Sequence, residues 1–513
     1  MPRVPARLAA AAALCALLPL AASADPTPEQ AAGLQQALRG WLAHAIGPEA
    51  TIPGDFLHVE PQGDHYRVSI ALGALPGILV TEGGTITASA LPLSAGRWVV
   101  YDQRLPSPTR LTLDLPVRAT KSGEAGGPLD VTVKVEKSAA DAILDPSFAT
   151  PSTLNTAIQG YDFTADTKRS HQHTHVDSAS GQASMVPAAN GRVDLIDSGN
   201  AENYSSTHRS GTRPPVEFAA QHLRVSGHLD ALDRDRALPV IRVLARLTGS
   251  ALRAVPLRNG AESDHAGQPE KHRAPRLDRK SLRELYLAVR GIATGGELTE
   301  TAEGVRAGIH GHIVGVDRVS LGAGVATPGG TLNAHLAFAV DGITSPEIPP
   351  EARQYLPHHI AIQPSISAIS LADLDALSMA LTAPEREPQD IAARIAALFA
   401  HGGITAGLDT FAFDLGAARF SGNGKLTALS PDVIKGEADV KASGFDALIA
   451  DVQATPALAA ALPVLAVIRT YARPEGQDLV WSIRTENADV KVNGRDVTPL
   501  LAPGKGDAGR PGK

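Results

Sequence analysis

Between His65 and Leu72 the chain alternates apolar and polar residues one for one. "HYRVSIAL" sets Tyr66, Val68, Ile70 and Leu72 on one side of an extended chain, after a turn at "PQGD". "GRWVVY", "RLTLDL" and "LDVTVKVE" keep the same period as far as Glu136, and further strand-like runs lie between Ala157 and Val225. Ahead of them the spacing is helical: Thr27 can cap, Pro28 suits a first turn, and Leu34, Leu38, Trp41 and Leu42 form one stripe. A second helical spacing starts near Pro239, with Val240, Val243, Leu244 and Leu247 on one side.

From Arg258 to Lys280 apolar residues almost vanish, which reads as a solvated linker or loop. The plan then repeats. A helix is expected around Leu282, Leu285, Val289 and Ile292, and a strand in "TLNAHLAFAVDGI", where Leu332, Ala334, Leu336, Phe338 and Val340 share a face. Helices are expected at 371–381 and around Ile391–Phe399, strands from Ile404 to Ala442, and a helix from Pro456 to Ile468. A hairpin at Asn493-Gly494 closes the chain. The expected organisation is a leader over 1–24, a β-rich half over 25–257, the linker 258–280, a second β-rich half over 281–503 and a disordered tail over 504–513. Runs of antiparallel strands with few helices make the fold α+β and mainly antiparallel β, with long curved sheets and a few flanking helices.

Composition bears on location. Arg3 and Arg7 precede an apolar run from Leu8 to about Leu20, and Ala22-Ser23-Ala24 fits a signal-peptidase site, so cleavage after Ala24 and a periplasmic or secreted product are expected. The run is too short to span a bilayer, and no later segment reads as transmembrane. Cys15, the only cysteine, lies in that leader behind Leu14, so neither a lipid anchor nor a disulfide is expected. The formal charge of −7 becomes −9 without the two leader arginines. That balance, with 4% aromatic residues, argues against nucleic acid as a partner.

Candidate chemistry concentrates in "SHQHTHVD". In a strand, His171, His173, His175 and Asp177 stand on one face, and imidazoles with a carboxylate are the donors of zinc or copper sites. A two-residue hairpin at Asn190-Gly191 would pair Ala189 with Arg192 and bring His208 opposite His173, adding a fourth imidazole. The same register sets Val176, Val186 and Ala188 on the other face, which makes the histidine side the solvated outer surface. There is no His-Glu-x-x-His, no Gly-x-Ser-x-Gly elbow and no phosphate loop, so no catalytic residue and no cofactor are assigned. His310 and His312 read as surface or turn residues, and His358 and His359 point opposite ways if extended, which argues against joint coordination. Two apolar rows matter more: Leu332, Leu336 and Phe338 on one strand, and Phe411, Phe413 and Leu415 on another. The expected helices are too few to cover such faces, so these six residues are candidates for an apolar groove.

The closing segments "GGITAGLDTFAFDLGAARFSGNGKLTAL", "GEADVKASGFDALIADVQATPALAAALPVLAVI" and "QDLVWSIRTENADVKVNG", with "LPHHIAIQPSISAIS" and "HVEPQGDHYRVSIAL", resemble the uncharacterised bacterial family catalogued as domain-of-unknown-function 2125. Its members are similar to AsmA-like envelope proteins, whose strand-rich sheets form apolar troughs. The resemblance implies an exported, non-enzymatic envelope protein that binds lipid or another apolar ligand, or serves as an assembly scaffold. It brings no catalytic residue. The alternative is a metal-binding protein or metal-dependent hydrolase built on His171, His173, His175 and His208.

Overall fold

The computed structural model describes residues 25–46, 52–75, 77–93, 96–113, 128–145, 151–168, 170–211, 214–233, 290–309, 311–382, 388–487 and 489–498. The leader, the helix expected from Pro239, the linker 258–280, Leu282 to Val289, His310 and the tail lie outside the described residues.

Helix α1 (Pro28–Ile46) opens the structure, and the amide of Gln30 donates to the Thr27 hydroxyl at 3.3 Å as its cap. Strands β1 (Leu57–Gln62), β2 (His65–Ala71), β3 (Ile78–Glu82), β4 (Thr85–Pro92), β5 (Trp98–Arg104) and β6 (Thr109–Leu113) are short. The next are long: β7 (Leu129–Leu144), β8 (Thr153–Asp166), β9 (Ser170–Pro187), β10 (Val193–Ser210), β11 (Val216–Leu232), β12 (Gly295–Ile309) and β13 (His312–Ala326). There follow β14 (Thr331–Asp341), a single turn α2 (Pro350–Arg353), β15 (His359–Ser370), α3 (Leu371–Thr382) and α4 (Pro388–Leu398). The chain continues through β16 (Ile404–Leu415), β17 (Ala418–Ser430), β18 (Val433–Ser443), α5 (Phe445–Ala454) and α6 (Leu462–Thr470). Short strands β19 (Arg473–Glu475), β20 (Asp478–Glu486), β21 (Asp489–Val492) and β22 (Arg495–Asp496) end it.

Every pairing is antiparallel, and all strands belong to one curved, open sheet. β1, β2, β4 and β5 lead to β7, which also takes β6 on its first half, with β3 beyond. From β7 each strand pairs with the next as far as β18, which pairs with β20. The sheet runs unbroken across the segment 234–289, because β11 and β12 pair from Asp230–Gly295 to Glu217–Gly308. The two halves expected from the sequence thus share one sheet.

A transverse crease crosses this sheet. Gly160 on β8, Asn203 on β10 and Gly304 on β12 each leave the extended region, with φ of 60°, 51° and 60°. The ladders fix these residues in one row, beside Glu136 on β7, Asp177 on β9, Gln221 on β11 and Asp317 on β13. Glu136, Asp177 and Gln221 each lie over a left-handed neighbour on the next strand, and Asp317 lies at Gly342, just past the end of β14. A Cβ on Gly160 would come within 2.3 Å of Glu136 Cγ, and one on Gly304 within 2.5 Å of Gln221 Cδ. Alternation inverts at this row. On β7 the buried residues are Val131 and Val135, Glu136 and Lys137 are both exposed, and beyond them Ser138, Ala142 and Leu144 take up the inner side.

Helices cover the inner face at its two ends. At the first end Ala31, Leu34 and Leu38 of α1 pack on Leu57, Val59, Tyr66, Val68 and Ala90, with Trp98 and Leu144 at the margin. The Trp41 side chain, expected on this stripe, lies outside the described set. At the other end Phe445, Leu448 and Val452 of α5 pack with Ala418, Ala442 and Trp481. The Trp481 indole donates to the Ile468 carbonyl at 2.9 Å, which ties β20 to α6. Asn493 and Gly494 take φ of 48° and 80° and join Val492 to Arg495 in the two-residue turn read from the sequence.

Candidate functional site

Between its capped ends the inner face is largely apolar, and many of its side chains are exposed. Directly paired residues share a face, and the ladders align Val225, Glu300, Leu321, Phe338, Ile362 and Phe411 across β11 to β16. The next row up carries Leu298, Ala323 and Leu336, and the next row down Leu223, Val319, Val340, Ile360 and Phe413. The small residues Gly296, Ala302, Ala323 and Ala334 leave the floor low between the larger ones. Leu336 is 60% exposed and Leu321 and Val325 are each 47% exposed, in a protein whose cores at the ends hold Leu34 and Leu448 at 0% and 1%. Six strands at about 4.8 Å spacing make this open stretch roughly 24 Å long.

The opposite face of the same strands is polar. Asn155, Ser180, Gln182, Ser198, Asn200 and Thr299 line a shallow depression there. A sheet whose one face is polar and whose other is apolar ordinarily buries the second. Here the described helices pack mainly at the two ends and beside β15, and on β12 to β14 Leu298, Leu321, Val325, Leu336 and Phe338 stand exposed while Val305 and Val340 are buried.

Of the apolar residues singled out in the sequence, Phe338 and Phe411 share a row through Ile362, and Leu336 lies one step up on the same face. Phe413 stacks on Phe420, centroids 4.4 Å apart and planes 2° apart, and Phe420 meets Phe445 edge-on at 5.9 Å. This aromatic ladder carries the open face into the capped end. Leu415 packs against Ala418 and Leu448 and belongs to that cap. Leu332 lies beyond a bulge, opposite Ile369. The residues of β11, β12, β13 and β15 were missed, although "HLRVSGHL" and "VDRVSLGAGV" carry the same alternation. At the capped end an apolar cavity of about 400 Å³ opens between Phe420, Val440, Ile468, Trp481 and Ile483.

The histidines occupy the outer face. The hairpin at Asn190 has a three-residue loop, not two: Ala188 and Arg192 flank it, and Val193 pairs with Pro187. That one-residue shift reverses the face of every residue on β10. His208 pairs with Gln172 and stands on the inner face, away from His171, His173 and His175, so the expected fourth imidazole is not there. Across from the three, β8 presents Asp166, Thr164 and Asp162. His171 Nδ1 lies 2.5 Å from Asp166, and Asp162 Oδ1 is shared by His173 Nε2 at 3.2 Å and His175 Nδ1 at 3.0 Å. His175 Nε2 meets Asp177 at 2.9 Å. A carboxylate only accepts, so both ring nitrogens of His175 donate, and the imidazolium is the form that suits the site. Its pKa is raised, first by the bond to Asp177 and then by that to Asp162. The same bond from His175 holds Asp162 and Asp177 below the usual carboxylate value. This is a ladder of imidazole–carboxylate hydrogen bonds on a solvated surface. Among the described residues no three His, Cys, Asp or Glu side chains converge on a point that could hold a metal ion.

Among the described residues no helix is long and apolar enough to cross a membrane. No protein-family model matches the chain, and no curated protein matches it.

Proposed function

We propose that this protein is a non-enzymatic component of a bacterial cell envelope that shelters acyl chains in the open trough of its sheet. One observation carries the reading: on β13 and β14 the apolar face continues the two buried cores, yet Leu336, Leu321 and Val325 are about half exposed or more. A contiguous apolar surface of this extent on a folded protein marks a binding site. Each methylene laid on it contributes about 0.8 kcal/mol before ordering costs, so the chain itself supplies much of the affinity. The leader-like start and the resemblance to envelope proteins with apolar troughs support an exported location.

The test is extraction of protein purified without detergent from its native envelope, followed by mass spectrometry of the organic phase. Wild type is expected to carry lipid, and Phe338→Asp to lose it while keeping its circular dichroism and melting temperature. Lipid-free wild type, or a Phe338→Asp protein equally loaded, would overturn the reading.

A further inference from the structure

The charges of the long strands divide unequally between the two faces. Arg209, Arg224, Arg306, Arg318, Lys425 and Lys441 all take the outer face, by register and alternation, as do the other lysines and arginines of β9 to β18. Among the described residues of these strands two carboxylates break the apolar inner face: Asp197 on β10 and Glu300 on β12. Glu300 pairs with Val225 on one side and Leu321 on the other, and Leu298 and Ala302 flank it along its own strand. Asp197 pairs with Gly227, and a Cβ there would meet Asp197 Oδ1 at 2.9 Å and Leu298 Cδ1 at 3.4 Å, which fixes all three on one face. Outer-face carboxylates such as Glu303, Glu202 and Asp341 stand beside arginine or histidine. Glu300 stands among hydrocarbon, exposed, in the middle of the longest apolar row.

A hydrocarbon chain laid over Glu300 would remove water from a carboxylate and return nothing, which is costly. A fatty-acid anion would add like-charge repulsion. An amphiphile with an ammonium group beside its chain meets both demands, since the cation pairs with the carboxylate while the chain lies on Leu298, Leu321 and Phe338. We propose that the trough selects amine-bearing amphiphiles over anionic ones, with Glu300 as the pairing group and Asp197 adding to the same field. This inference rests on the acyl-chain reading above and names the class of ligand for that site.

Equilibrium dialysis of the full-length protein against dodecylamine and against dodecanoate, at neutral pH and low salt, tests it. Wild type is expected to bind the amine about tenfold more tightly than the acid. Glu300→Gln should remove most of that preference and Glu300→Lys should reverse it. Because the whole protein is acidic, Glu297→Gln on the outer face serves as the control of equal charge, and it should leave the preference unchanged. Equal affinity for the two amphiphiles in wild type, or the same loss from Glu297→Gln as from Glu300→Gln, would overturn the inference and leave the trough standing. Binding of neither amphiphile would overturn the trough and the inference together.

Discussion

The side-chain amide of Asn203 donates to Asp177 at 2.6 Å, across the row where β10 leaves the extended region. The same relationship recurs along the crease, with Glu136 over Gly160 and Gln221 over Gly304. Alternate strands thus turn at one level, and the polar side chain of the intervening strand lies over each turn. This gives the sheet its bend without a break in pairing on either side.

Gly304→Ala tests that bend. A non-glycine residue at positive φ costs about 1–2 kcal/mol, and the new Cβ would also displace Gln221. Denaturant unfolding should register a loss of about that size, with an unchanged slope. No loss would mean that the strand straightens at Gly304 without penalty and that the row does not hold the curvature.

The ladder around His175 predicts a pH dependence whose sign follows from its ion pairs. His175 has a raised pKa, so its contribution is complete below the ordinary value of 6.5 and is lost as pH rises through the raised one. Asp162 and Asp177 have lowered pKa values, so theirs is complete above the ordinary 3.8 and is lost as pH falls through the lowered ones. The ladder therefore adds most between those ordinary values. In an NMR titration His175 should titrate above 6.5, and Asp177→Asn should bring it down. A His175 that titrates at its ordinary value in wild type would refute the paired geometry.

Replacing His171, His173 and His175 together with Gln should lower affinity for immobilised nickel and change stability by no more than about 0.5 kcal/mol, as is usual for exposed positions. All three side chains are more than one-third exposed. Unfolding of the wild type on treatment with a chelator would restore the metal reading.

Much of the fold was legible because alternation is a local signal. The strands around Tyr66, Leu336 and Phe411 and the Asn493-Gly494 turn are all in place. What depends on counting across a turn was less secure. Asn190-Gly191 has the same letters as the later turn, but Ala189 joins its loop, and that single residue moved His208 to the other face. The crease was hidden for a related reason. Gly160, Asn203 and Gly304 lie on three different strands, and only the completed ladder sets them in one row. Likewise Phe338 and Phe411 read as two separate faces until Ile362 joined them.

The trough and its caps should respond to mutation in opposite ways. Leu448 on α5 is 1% exposed and packs with Ala418 and Val452, so Leu448→Ala removes packed methyl groups and leaves a cavity. Such a change costs about 2–5 kcal/mol. Leu336 is 60% exposed on the same face of the same sheet, and Leu336→Ala removes surface that water already reaches. Its effect on stability should stay within about 0.5 kcal/mol. Acyl-chain binding should show the reverse order, because Leu336 lies where the ligand would lie and Leu448 is sealed between α5 and the sheet. Parallel measurement of unfolding free energy and of retained lipid in the two variants separates the roles. A Leu336→Ala protein as destabilised as Leu448→Ala would mean that the middle of the sheet is covered in solution, and the open trough would be lost as the ligand site.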